Sequence, residues 1–258
     1  FGKCMYCEAL TFKESNKPTA KTYKLPEQTW KNYTTISDDW VKLIEGRKIA
    51  QFSLKELGIT EELFYQPKRK KEVKNLVFNY FEGETLVNKK YRDSGKGFTQ
   101  SVGTKSIFYN INSIIGEKEC YIVEGEFDVL ALHTHGIKNV ISVPNGANDN
   151  DDYWVNSEPY LKDIERFIIA VDNDTKGKTL KENIAQRLGR YRCEFIDWAG
   201  KDANDDLISG ELDNTLSNIK RFPVSGTFTV EDLHGGIVDL YENGLPKTIF
   251  PKDPSFGG

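Results

Sequence analysis

Short apolar runs of strand length, each ending abruptly on polar residues, recur through the second half of the chain. Tyr121–Val123 gives way to Glu124, and Phe167–Val171 gives way to Asp172-Asn173-Asp174. Residues 139–143 and 192–198 have the same strand-like character. The segments between them carry helical spacing, clearest over 175–188, where Leu180, Ile184 and Leu188 fall on one stripe. Strand alternating with helix predicts an α/β domain with a parallel sheet flanked by helices. The first half reads differently. Two short helices are expected over 37–45 and 53–57, the second with capping-box spacing at Ser53-x-x-Glu56 and a left-handed stop at Gly58. Residues 76–80 and 85–88 flank Glu82-Gly83-Glu84 as a hairpin. Lys105–Ile115 reads as a strand or short helix leading into the α/β core, and the acidic run 148–152 as a solvated loop.

In a parallel sheet the strand C-termini open on one edge, so Glu124, Asp172 and Asp174 converge on one crevice, and Asp202, just after the last run, lies at the same edge. Two carboxylates about 4 Å apart repel by roughly 4 kcal/mol at an effective dielectric near 20, so such a set calls for a cation or a shared proton. The ligands on offer are all oxygens, which favours Mg²⁺ or Mn²⁺ and points to phosphate chemistry. Glu126 and Asp128, in the first turn of a helix expected to run to His135, have a simpler explanation in the helix dipole. His133, His135 and His234 suggest no acid–base role.

Charge sharpens this division. Residues 1–118 carry 21 Lys and Arg against 14 Asp and Glu, and the remainder carries 14 against 25. A basic half beside an acidic half fits a polyanion-binding lobe next to a metal-binding lobe, with solvated surface charge as the alternative. On the strand Lys89–Arg92, Lys90 and Arg92 share a face, with Lys96 on the Gly-rich turn that follows. Together they suit a triphosphate or nucleic-acid backbone, unless this is an edge strand guarded by lysine. The run Lys68–Lys71 with Lys74 reads as a solvated face. Cys120 and Cys193 sit in apolar runs as core thiols, whereas Cys4 and Cys7 have the spacing of half a zinc site, with reduced surface thiols or a redox pair as the alternatives. No run approaches the length of a membrane span and residues 1–17 lack a signal-peptide core, so an intracellular protein is expected. The absence of Met at position 1 is the mark expected of a fragment or processed product.

EGEFD at 124–128, DND at 172–174, KDANDD at 201–206 and KKYRDSGKGF at 89–98 occur in the order seen in Toprim-containing primases. Together they resemble the primase portion of phage bifunctional primase-helicases and of the related Twinkle-like helicases. The resemblance implies a Toprim core, a smaller α+β N-terminal subdomain and a C-terminal linker helix. It divides the chain into a zinc-ribbon remnant with linker over 1–35, a basic subdomain over 36–118, Toprim over 119–222 and a helicase linker over 223–258. It implies two-metal synthesis of RNA primers on single-stranded DNA, with Glu124, Asp172 and Asp174 catalytic and, with Asp202, binding Mg²⁺ or Mn²⁺. Lys90, Arg92, Lys96 and Lys201 would bind ribonucleoside triphosphates and template, and Cys4 with Cys7 would hold Zn²⁺ as a partial site. A helicase domain in the same chain or a neighbouring subunit is the implied partner, and the host cytoplasm the location if the chain is phage-encoded. The alternatives are a non-catalytic, single-strand-binding module of a Twinkle-like helicase and a Toprim nuclease or topoisomerase. No G-x-x-x-x-G-K-[ST] loop is present, so no ATPase is expected of this chain.

Overall fold

A computed structural model describes residues 2–3, 10–11, 30–146, 151–223, 233–234, 237–238 and 241–242. The chain forms two compact units, Phe1–Asn32 and Tyr33–Gly258. In the first, β1 (Gly2–Lys3) and β2 (Leu10–Thr11) pair antiparallel. Cys4 and Cys7 lie outside the described residues.

The second unit opens with α1 (Asp38–Glu45) and α2 (Gln51–Glu56). The capping box expected at Ser53 does not form. Ala50 is the N-cap, and Ser53 lies inside α2, fully buried, with its hydroxyl bonded to Thr134 Oγ1 and His133 Nδ1, each at 2.9 Å. Tertiary partners outcompete the local backbone for a buried hydroxyl. Gly58 does stop the segment at φ +62°.

An antiparallel sheet follows in chain order: β3 (Thr60–Gln66), β4 (Lys71–Glu82), β5 (Thr85–Arg92) and β6 (Phe98–Gln100). The β4–β5 hairpin turns at Gly83, φ +60°, as its sequence predicts. Strand β3 escapes the sequence pattern because Glu61 and Glu62 interrupt its apolar alternation. Both acids are used across the fold, Glu61 accepting from Ser37 N at 2.7 Å and Glu62 from Lys89 Nζ at 2.6 Å. The 105–115 segment forms an isolated bridge, Tyr109 to Ser142, and a 3-10 turn at Ile111–Ile114.

The larger sheet is built from β7 (Glu119–Val123), α3 (Glu126–His135), β8 (Val140–Ser142), α4 (Asp151–Leu161), β9 (Arg166–Ile169), α5 (Thr175–Leu188) and β10 (Cys193–Phe195). After these come α6 (Ala203–Ser209), α7 (Leu212–Leu216) and β11 (Lys220–Arg221). Strand order is β11-β10-β9-β7-β8, all parallel except β11. The parallel α/β reading therefore stands. Where a loop was expected, Asp151 and Asp152 instead occupy the first turn of α4 and suit its positive end. Tyr153 and Trp154 behind them pack edge-on against Phe108 at 4.9 and 5.0 Å between centroids. Cys120 and Cys193 are buried thiols, as expected. The two sheets meet where Phe78 of β4 packs edge-on against Phe127 of α3 at 5.6 Å.

The turn into α6 depends on one buried acid. Asp206 accepts from Gly200 N (2.6 Å), Ala199 N (3.1 Å) and Thr215 Oγ1 (2.6 Å). Asp206→Ala leaves these donors unpaired and is expected to cost roughly 3 kcal/mol of stability, read as a lower urea midpoint. Of the expected linker helix, residues 233–234, 237–238 and 241–242 are helical, and Leu233 and Ile237 are exposed; Val230 and Leu240 lie outside the described residues.

Candidate active site

The C-terminal edge of the parallel sheet and the inner face of β5–β6 enclose an open cleft of about 680 Å³. Strand β7 leads into Glu124, and Gly125, extended at φ −131°, turns the chain into α3 as its N-cap. Strand β9 leads to Asp172, and Asn173 ties that turn to the 198–201 loop. Its side-chain amide donates to Trp198 O at 2.5 Å and Gly200 O at 3.1 Å, and its backbone N–H donates to Lys201 O at 2.9 Å. Glu124, Glu126, Asp128, Asp172 and Asp202 all line the cleft. Asp174 does not. It is exposed and caps α5, accepting from Gly177 N at 2.9 Å, a bond that holds its carboxyl below the usual range. Asp202 caps α6 in the same manner, accepting from Asp205 N at 2.8 Å.

The carboxylates sense one another. Burial, then the charges of Asp172 and Asp174, pushes the Glu124 carboxyl up to about 7. Burial also raises Asp172, against the pull of Lys201, whose Nζ lies 2.6 Å from Asp172 Oδ2. Asp128 is raised well above the carboxylate range by burial and then by Asp202 and Asp172. Among the described residues no three His, Cys, Asp or Glu side chains stand at ready-made metal spacing. The donor set nevertheless fits a hard divalent cation: it is all oxygen, and Glu124 Oε2 is buried with no hydrogen-bond partner.

A pH dependence follows with a definite sign. The Glu124 carboxyl goes from its ordinary 4.5 to about 7 on folding, so protons favour the folded state. Its contribution to metal-free stability is expected to decline as pH rises from 4.5 through 7. A divalent cation needs the ionised form, so the Mg²⁺-induced rise in thermal midpoint is expected to be larger at pH 8 than at pH 6. Equal rises at both values would contradict this.

The basic residues differ in exposure. Lys90 and Arg92 do share a face of β5, but β5 lies between β4 and β6, so it is not an edge strand, and both side chains are covered. Lys90 donates to Glu126 Oε1 at 2.7 Å and Pro144 O at 2.9 Å, and it lines the cleft. Arg92 lies over the Phe127 ring at 4.3 Å, and burial, with the nearby Arg47 charge, lowers its pKa to about 10. Lys96 is exposed at φ +62° on a loop wrapped around Asp93, which accepts from Gly95 N and Gly97 N. The three do not form one solvent-facing surface. Lys201, by contrast, does lie beside the acids.

Glu126 and Asp128 do occupy the first turn of α3, as expected, and both are also buried members of the cleft. The signal was present: α3 is otherwise so apolar that Phe127 and Val129–Leu132 are all buried, leaving its first-turn acids little access to water. His133 is buried, and burial with the nearby Lys138 charge lowers it to about 4, so it carries no acid–base role near neutrality.

Comparison with known proteins places this geometry. The Toprim domain family matches residues 118–196. The Twinkle homolog protein, chloroplastic/mitochondrial, of Arabidopsis thaliana is 34% identical over 191 residues, 65% of this chain and 27% of that protein. The Primase homolog protein of the same plant is 37% identical over 173 residues, 58% of this chain and 51% of that protein. This chain thus spans about a quarter and about half of those curated relatives. Among solved structures, the fold matches a bacteriophage T7 lagging-strand DNA polymerase complex with primase domains bound to an RNA/DNA hybrid and dTTP. The TM-score is 0.60 at 22% identity, covering 69% of this chain and 91% of that one.

Proposed function

We propose that the chain is the Toprim-type primase portion of a Twinkle-like or phage-type primase-helicase and that it extends RNA primers on single-stranded DNA during replication; its similarity to the Toprim family, to Twinkle and primase homologs and to the T7 primase fold supports this. The observation that carries this reading is the convergence of Glu124, Asp128, Asp172 and Asp202 in one cleft that Lys90 and Lys201 also line, with Glu124 Oε2 buried and unpaired.

Glu124, Asp172 and Asp202, joined by Asp128, would hold Mg²⁺ or Mn²⁺, while Asp174, capping α5 outside the cleft, would add only its charge. Bound there, the ions supply Lewis-acid activation of a ribose 3′-hydroxyl and charge neutralisation of the departing pyrophosphate. The chain's own residues do the rest. Glu124, ionised when it holds a cation, would help gather the primer 3′-oxygen as it bonds to the α-phosphorus and the bond to pyrophosphate breaks, the hydroxyl proton passing to solvent. Lys201, paired to Asp172, and Lys90 bring positive charge to the triphosphate, and the exposed Phe98 ring on the cleft wall offers a face to a base. Arg92 stiffens that wall, and Lys96 meets nucleic acid outside the cleft. Single-stranded template, ribonucleoside triphosphates and a helicase domain are the partners, with Cys4 and Cys7 as half of a zinc ribbon. Its setting is inside the cell or an organelle, where DNA is replicated; among the described residues no helix is long and apolar enough to cross a membrane.

One observation favours a second reading. The chain matches a Twinkle homolog protein over 65% of its length, which suits a Toprim module that binds single strands without synthesis. Extension of a preformed RNA primer on single-stranded DNA, with labelled ribonucleotides and Mg²⁺, tests the choice. Growth of the primer supports synthesis. Tight single-strand binding without growth supports the second reading, and nicking of supercoiled DNA would instead indicate a nuclease.

A further inference from the structure

The middle acid of EGEFD is placed unlike its neighbours. Glu126 is 2% exposed, and its Oε1 accepts from Tyr80 Oη at 2.6 Å and from Lys90 Nζ at 2.7 Å. Lys90 also donates to Pro144 O at 2.9 Å, an oxygen shared with Gln100 Nε2 at 3.0 Å. The same ammonium stands 5.3 Å from the centroid of Phe98. Three elements, α3, β6 and the segment after β8, therefore converge on one lysine head, and β4 reaches it through Tyr80 and Glu126. An ammonium has three donors. Glu126 and Pro144 take two, which leaves the third for a ligand in the cleft that Lys90 lines. Glu124 contrasts with this, since its Oε2 has no partner at all.

We infer that Glu126 is a positioning residue: with Tyr80 it holds the Lys90 ammonium at the cleft wall to meet the triphosphate of an incoming nucleotide, and it takes no part in holding the metal. The inference rests on the nucleotidyl-transfer reading for the identity of its ligand. A free lysine head samples many rotamers, and fixing it beforehand removes that cost from nucleotide binding.

The test is a double-substitution cycle read by equilibrium binding of ATP with Mg²⁺, without primer or template so that nothing turns over. Lys90→Met is expected to weaken ATP binding roughly tenfold, the loss of one charge-assisted hydrogen bond. Glu126→Gln is expected to weaken it comparably, and to add nothing when Lys90 is already Met. Tyr80→Phe leaves the ion pair in place, so a smaller loss is expected, again absent in the Lys90→Met background. Glu126→Gln alone leaves a covered ammonium unpaired. If that variant does not fold, the Tyr80→Phe pair of proteins decides. Full ATP affinity in the Glu126 or Tyr80 variant, or a loss that persists without Lys90, would overturn the inference. So would a raised Mg²⁺ requirement in nucleotide-free thermal melts of Glu126→Gln. Primer extension separates this from the broader reading. If extension fails while the cycle holds, the positioned lysine serves bound nucleotide without synthesis; if extension succeeds while the cycle fails, positioning alone is wrong.

Discussion

Glu124→Gln is expected to raise the thermal midpoint in metal-free buffer at pH 8 while lowering ribonucleotide incorporation by about a thousandfold or more. The two effects share one cause. Glu124 is ionised at pH 8 only against burial and against the charges of Asp172 and Asp174, so a neutral amide of the same shape relieves the folded state. The same charge is what a divalent cation requires, and losing one ligand forfeits several kcal/mol of transition-state stabilisation, or about three powers of ten in rate. Thermal melts with and without Mg²⁺ read the first effect, and single-turnover primer extension reads the second. A midpoint that falls, or a rate that holds, would show that Glu124 is an ordinary structural carboxylate.

Gly177→Ala is expected to be among the most damaging single-methyl additions in the chain. A Cβ at Gly177 would stand 2.0 Å from Asp172 O and 2.8 Å from Asp172 C, far inside contact distance and against backbone. Relief requires moving either the first turn of α5 or the Asp172 turn, and Asn173 anchors the latter to Trp198, Gly200 and Lys201. A loss on the order of 4 kcal/mol is expected in urea melts. Any folded fraction should also bind Mg²⁺ poorly, because Asp172 is displaced. Near-native stability would mean that the turn yields more readily than its hydrogen bonds suggest.

Much of this site was legible in the sequence because apolar runs ending on carboxylates specify both a strand and the edge it opens on. Glu124, Asp172 and Asp202 were placed that way, and all three line one cleft. Asp174 followed the same pattern but is drawn outward to cap α5, a competition between cleft and helix end that spacing alone does not decide. Lys90 and Arg92 were placed on a common face correctly, but their burial was not legible. Alternation says which side chains share a face, not whether another layer covers it, and here Phe127 and Glu126 of α3 do so. Strand β3 stayed hidden because two glutamates broke its pattern, each satisfied by a partner more than twenty residues away.

Whether a template base selects the nucleotide added to a primer tests the central claim most directly. A short RNA primer on four single-stranded DNA templates, differing only in the next base, would be offered each ribonucleoside triphosphate in turn with Mg²⁺. The expected result is addition of the complementary nucleotide alone, abolished by chelation and by Glu124→Gln. Failure to add any nucleotide, or cleavage of the template in its place, would contradict a nucleotidyl-transfer role for this cleft.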